Sequence, residues 1–553
     1  MKRFFFLVVL LSLSMIMISC SKDNTNGNSS SGDGDADGDS DGDSDGDGDG
    51  DGDGDSDAPP IDPGSNLDKI ALIDDLEDGD PWIRTRGKRY GHWFTYHDDS
   101  KGGSQIPNGD FEATKDGMSN SNYRAYSKGS GFKQWGAGIG FDLSNPGDTT
   151  CEDAPPKGRH PYDASKFDGI TFFAKGNHKL RIAIPTPTTL PTEEGGECTK
   201  NCFDDFGRDI LLTKEWTRYA FKFENLKQEG WGAKTKFDPT KIISIMFQVS
   251  ENVDFDFSID DVAFFGNEDE DKVINGGKGT DVGIDDLKLA AGFRSSAYGI
   301  DPFPSREYWS SVGTDMAAKF KDATPSAVWI VGEIVTNSEK PKDNGKIKLN
   351  FPRSVGDYSD IEFDDCDLNE KTLTLFDELG YKVWLQVEPG FVDVTLLADL
   401  VLRRYKHHPC VIGFGVDIEW FRTKDGKNAE AMSDEDAQDW RSAVRKYNPK
   451  YSLLLKHWEE SMMPPNERDG LFFLDDAQEM GSLSALDAKF KVWADNFSPA
   501  PVGFQVGYDE DKSWWGGMSD PPKEIGDYLI DSNANMKGFF WVDFTLQTVF
   551  PPK

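Results

Sequence analysis

The chain is short of positive charge. Its 553 residues carry 60 Lys and Arg against 98 Asp and Glu, a formal net charge of −38. That deficit argues against binding nucleic acid through phosphate contacts. Histidine is scarce as well, seven in all. Only His457 falls at the end of an apolar, strand-like segment, which disfavours a zinc centre. The strand-rich C-terminal half has no glycine-rich phosphate loop, so a doubly wound nucleotide-binding sheet lacks its signature there. What the chain has in quantity is aromatic residues: 15 Trp, 15 Tyr and 38 Phe. These serve a large core or stacking on sugar rings. A chain this long is expected to hold roughly two to four domains.

The N-terminus reads as a targeting segment. Met1-Lys2-Arg3 precedes the apolar run FFFLVVLLSLSMIMI, and Ser19-Cys20 closes it. A basic start, a short apolar run and small residues at its end make a secretory signal, too short and badly flanked for a stable span. Met17-Ile18-Ser19-Cys20 resembles the lipobox of bacterial lipoproteins. The resemblance implies a signal over 1–20, lipidation of Cys20 and a protein of the bacterial cell envelope, anchored in the outer membrane and exposed at the surface. Residues 21–66 read as a linker, nearly pure Gly, Asp and Ser from Gly32 to Asp57. Such a stretch has nothing to bury and repels itself, which suits a tether.

Residues 67–266 read as all-β. Segments such as KIALIDDLED, FDGITFFAKG, EWTRYAFKFEN and FSIDDVAFFG are rich in β-branched and aromatic residues and separated by turns, as in a sandwich. The opening LIDDLEDGD and closing IDDVAFFG resemble the ends of jelly-roll carbohydrate-binding modules, above all the family 11 kind. The resemblance implies a structural calcium held by carboxylates of the first and last strands, here Glu77 and Asp261. Trp82, Trp93, Tyr96, Trp135 and Trp231 are available for sugar stacking or for the core. Cys151, Cys198 and Cys202 allow one bridge and one leftover, with the CTKNC spacing favouring a loop disulfide over a metal site. Cys366 and Cys410 are expected to be free.

Residues 267–286 read as a polar junction. Over 287–553 the pattern changes to near-continuous apolar strands alternating with helices, which implies a parallel sheet. About eight strand segments match a (β/α)8 barrel. The whole is thus expected to be multidomain, a jelly-roll sandwich followed by a TIM barrel. Barrel sites lie at the C-terminal ends of the strands. Those ends carry Glu333, Glu388, Asp417, Glu419, His457, Asp475, Asp476, Tyr508, Asp509, Trp541 and Asp543.

The segment VIGFGVDIEWF, residues 411–421, is the most pointed of these. Asp417 and Glu419 are two apart, a spacing that puts both on one face of a strand. Like charges that close raise the pKa of one of them, and Trp420 adds dry surroundings. Ile412–Glu419 resembles, in part, the strand-four motif of family 18 glycoside hydrolases: the glycine, the last aspartate and the glutamate match, while Ile412 and Gly415 replace two aspartates. The resemblance implies that Glu419 is a general acid and that Asp417 orients substrate or shares its proton. It further implies that Tyr508, Asp509, Trp541, Trp420 and Gln505 contact sugar. Without the relay aspartate a second carboxylate is needed, Glu388 first and Asp509 second. Its separation from Glu419, about 5 Å or about 6.5–9.5 Å, would decide between retaining and inverting chemistry. The expectation is a tethered, monomeric polysaccharide hydrolase with a sugar-binding module. The alternative is a glycan-binding lipoprotein with a degenerate barrel, and a metal-dependent esterase or deacetylase stands third.

Overall fold

A computed structural model describes residues 59–552, apart from 120, 150, 152–153, 269–281 and 336–344. Cys20, the targeting segment and nearly all of the Gly/Asp/Ser tether lie outside the described residues. Among those described, no helix is long and apolar enough to cross a membrane.

The first half is a sandwich of two antiparallel sheets. One has seven strands, and its long central strand Phe255–Phe265 is flanked by Gly169–Gly176 and Tyr123–Ser130, with Ile70–Asp74 also paired to it. The other has five, in the order Trp93–His97, Ala137–Asp142, Ser244–Val249, Lys179–Ile184, Phe206–Leu211. Alternation along the strands sends Phe172, Phe221, Phe247 and Trp93 inward, where Phe172 meets Phe247 edge-on and Trp93 packs on Phe141. Trp93 is therefore a core residue, 2% exposed, whereas Trp135 and Trp231 remain at the surface.

The second half is a closed barrel of eight parallel strands: Leu289–Ser295, Ala323–Ile334, Lys382–Val387, Val411–Asp417, Ser452–Lys456, Leu471–Asp475, Val502–Val506 and Met536–Trp541. The first pairs with both the second and the eighth, which closes the ring. Two layers of apolar side chains follow. Between strands and helices lies the large core that includes Trp309, Trp329, Phe376, Phe414 and Trp493. Inside the barrel, Trp384, Phe472 and Phe540 pack with Val328, Ile412 and Leu454. They fit because the chain is bare beside them: a Cβ on Gly413 would come within 2.7 Å of Trp384, and one on Gly538 within 2.6 Å of Phe472.

Sandwich and barrel are joined through the LIDDLEDGD stretch. Arg404 of the helix Val394–Tyr405 donates to Asp80 at 2.5 Å, Lys406 pairs with Glu77 at 3.0 Å, and Arg86 reaches Glu370 at 3.1 Å. His407 and His408 both meet Glu370, and His408 also meets Asp377 at 2.6 Å. Cys198 and Cys202 form the loop bridge expected. Cys366, however, is not free: it is bonded to Cys151 across the two domains. Cys410 is a buried free thiol. A bridge between positions 215 apart in sequence strongly restricts the unfolded chain. Cys151→Ser is expected to remove about 2–4 kcal/mol of stability, and reducing agent should lower the melting temperature of the wild type but leave that of the variant nearly unmoved.

Candidate functional site

The C-terminal ends of the barrel strands bring together six carboxylates and two buried cations. Strand four ends at Asp417, and Glu419 follows in a 3-10 turn over Ile418–Trp420. The two acids therefore do not share a strand face. The Asp417 carboxylate accepts the backbone N–H of Glu419 at 3.3 Å, which caps the turn and keeps the two side by side. Strand three ends next to Glu388, whose carboxylate accepts the Tyr298 hydroxyl at 2.6 Å and the Ile334 N–H at 3.0 Å.

Burial and mutual repulsion set the protonation of these groups. Glu419 is pushed up to about 7 by burial and then by Asp417, with Lys456 pulling the other way. Glu388 is likewise pushed up to about 7 by burial and then by Asp417. Asp417 is raised by burial, and the Lys456 ammonium opposes that rise. The structure thus brings Glu388, Asp417 and Glu419 into one electrostatic cluster.

Lys456, at the end of strand five, is the residue that sequence reasoning missed. It is 3% exposed, and its Nζ lies 2.9 Å from Asp417 and 2.5 Å from Asp476 of the strand-six end. The visible trace is a lysine ending an otherwise apolar strand, YSLLLK. Arg294 is the second missed cation. It pairs with Asp543 at 2.7 Å, and Asp543 also accepts the Ser296 N–H. Glu333 accepts the Ala297 N–H at 2.6 Å and so fixes the turn after strand one.

The remaining expected residues divide. Tyr508 and Gln505 are buried, bonded to one another, and Tyr508 also donates to Asp476 at 3.4 Å; they stand behind Asp476. Trp420 is half-buried beside the Glu419 turn, against Gly426. Asp509 does not reach the cluster: it is exposed and pairs with Lys512 at 3.4 Å on the 3-10 turn Asp509–Asp511. Trp541 is fully buried, bonded to Thr545 and covered by Gly507, so it presents no face to a ligand. His457 accepts the Glu459 N–H, and burial lowers its pKa to about 4. At Gly415 the family 18 resemblance calls for an aspartate, and the structure shows why none stands there. A Cβ there would lie 3.1 Å from the Gln386 Cβ, so Gln386 of strand three fills the space an aspartate at that position would need.

In the sandwich, Glu77 is heavily engaged. One oxygen accepts from Ser121 and the N–H groups of Asn122 and Tyr123; the other meets Asn122 Nδ2 and Lys406. Asp261 neighbours it with a positive φ of 48°. Burial, with Asp75 and Glu77 nearby, lifts Asp261 to about 6, and burial lifts Asp260 to about 8. Asp260 and Asp261 are thus harder to ionise than ordinary aspartates.

Fold and site together define a class: a β-sandwich fixed to an eight-stranded parallel barrel that gathers acids at its strand ends. No family model matches the chain. Endoglucanase 3 of Fibrobacter succinogenes is 27% identical over 190 residues, 33% of this chain and 24% of that protein, so the match spans about a quarter of the relative's length. Among solved structures, the family 11 carbohydrate-binding module of Clostridium thermocellum, in complex with a β-1,3-1,4-mixed-linked tetrasaccharide, is 15% identical. It covers 36% of this chain and 98% of its own, with a TM-score of 0.25. The joined CBM22-1 and GH10 modules of xylanase 10B from the same organism are 11% identical, cover 86% of this chain and 90% of their own, and give a TM-score of 0.29.

Proposed function

We propose that the protein is a glycoside hydrolase acting on a polysaccharide, with the sandwich as a sugar-binding module. The observation that carries this is the clustering of Glu388, Asp417 and Glu419 at the barrel's strand ends, with two of them pushed to about 7. General acid catalysis at neutral pH needs a carboxylic acid that is still protonated there. Glu419 is that acid. Asp417, held by Lys456, is the neighbour that discourages its ionisation. Glu388 is the second carboxylate, oriented by Tyr298 and serving as nucleophile or base. Partial identity to an endoglucanase supports the same reading.

The test is a screen of the purified protein against soluble polysaccharides, with products identified by mass. Release of oligosaccharides supports hydrolysis. Retention of a polysaccharide without any release favours the binding-protein alternative.

On the resemblance to family 11 modules we further propose a structural calcium held by Glu77 and Asp261, carboxylates from the two ends of the sandwich; because both Glu77 oxygens already accept hydrogen bonds, the ion would have to displace Lys406 or a backbone donor there. Calcium is expected to raise the melting temperature and chelator to lower it; identical melts in both would assign the charge balance there to Lys406 and bound protons. Surface tethering through Cys20 is proposed on the lipobox resemblance. Its check is metabolic labelling of the membrane fraction with a fatty acid, lost in Cys20→Ala.

A further inference from the structure

Beside Glu388 lies a pair of rings that the proposed chemistry does not use as acids or bases. Tyr298 is 50% exposed and Phe544 47% exposed, which is unusual for side chains of this size next to a buried charged centre. Their centroids are 6.1 Å apart with planes tilted by 31°. The Arg294 guanidinium lies 5.0 Å from the Tyr298 ring centre and 5.4 Å from that of Phe544. Arg294 is itself 4% exposed and anchored by Asp543 and Ser296. The two rings therefore rest on one immobile cation, and what remains uncovered faces solvent. The Tyr298 hydroxyl ends 2.6 Å from a Glu388 oxygen, so the patch is continuous with the proposed reaction centre.

We propose that Tyr298 and Phe544 form a stacking platform for a pyranose ring adjoining the cleavage point, and that the barrel's strand ends take a neutral glycan. This deepens the hydrolase reading and rests on it for the word cleavage. Two physical arguments select the ligand. Sugars with equatorial substituents expose flat C–H faces that pack on aromatic rings. The charge balance also opposes uronates and sulfated sugars: Glu333, Glu388, Asp417, Glu419, Asp476 and Asp543 surround the strand ends, while Arg294 and Lys456 are already paired with Asp543, Asp417 and Asp476. An anionic ring would enter this field with those cations already engaged.

The experiment uses the full chain and neutral β-linked hexasaccharides of glucose, xylose and mannose, with trigalacturonate as the charged control. Phe544→Ala is expected to raise KM on the best hexasaccharide at least tenfold, a larger factor than its effect on kcat, and Phe544→Trp to restore it. In Glu419→Gln, which retains the platform, adding Phe544→Ala should weaken by a similar factor the Kd of the barrel site, resolved from any sandwich site by two-site fitting of the titration. Trigalacturonate should not compete. Unchanged KM and Kd in Phe544→Ala, absence of binding to all three hexasaccharides, or tighter binding of trigalacturonate would overturn the proposal. If the wild type cleaves nothing yet Phe544→Ala still weakens Kd tenfold, the platform stands and the hydrolase reading falls.

Discussion

Glu419→Gln is expected to lower turnover by roughly 10²–10⁴-fold, the usual contribution of a general acid. The same change should raise thermal stability above neutral pH. Glu419 has a folded pKa of about 7 against an ordinary 4.5. The native state therefore holds a proton that the unfolded chain releases, and the associated stability is present at low pH and lost as pH rises from 4.5 to about 7. Glutamine is neutral throughout, so it removes that loss. The melting temperature of the variant should exceed that of the wild type at pH 8 and approach it at pH 4.5. Activity of the wild type should peak near neutrality, with Glu388 losing its proton on the acid side and Glu419 losing its own on the alkaline side. Turnover that survives Glu419→Gln, or a melting temperature below wild type at pH 8, would remove Glu419 from the role of acid.

Lys456→Met should cause the largest loss of stability among single changes at the site. The methionine matches the lysine stem in length but leaves Asp417 and Asp476 buried without their shared cation. Removing one member of a buried ion pair costs about 3–5 kcal/mol. Asp417 would then be driven towards its protonated form, and its restraint on Glu419 ionisation would fade. Turnover should fall; at Glu419 the loss of the Asp417 charge and the loss of the Lys456 ammonium act in opposite directions on the pKa. The double variant Lys456→Met with Asp476→Asn should recover part of the stability, because one of the stranded charges is gone. Denaturant midpoints measured on the three proteins check this. A single variant as stable as the wild type would show that the lysine is not the keystone of this cluster.

Much of the architecture was legible in the residues. Apolar runs of strand length separated by helices announced the parallel barrel, because strands covered on both faces cannot alternate. Short aromatic and β-branched segments between turns announced the sandwich. The proximity of Asp417 and Glu419 was legible too, but for a different backbone reason: the Asp417 carboxylate captures the Glu419 N–H and turns the chain out of its ladder. Lys456 escaped notice because a lysine at a strand end ordinarily reads as solvated, and its partners come from two other strands. Trp541 misled in the opposite sense. An aromatic at a strand end looks available to a sugar, yet the bare Gly507 backbone and Thr545 close over it. Asp509 depended on the direction of a short turn that spacing does not encode. The Cys151–Cys366 bond joins cysteines in separate domains, so no local pattern pointed to it.

That bond, with the Arg404–Asp80 and Lys406–Glu77 pairs beside it, has a mechanical consequence. Two modules linked by a loose string sample many mutual orientations, so a chain gripped by one drifts relative to the other. Here the modules are welded. Whatever the sandwich binds is presented to the barrel at an offset fixed by that bond and those pairs.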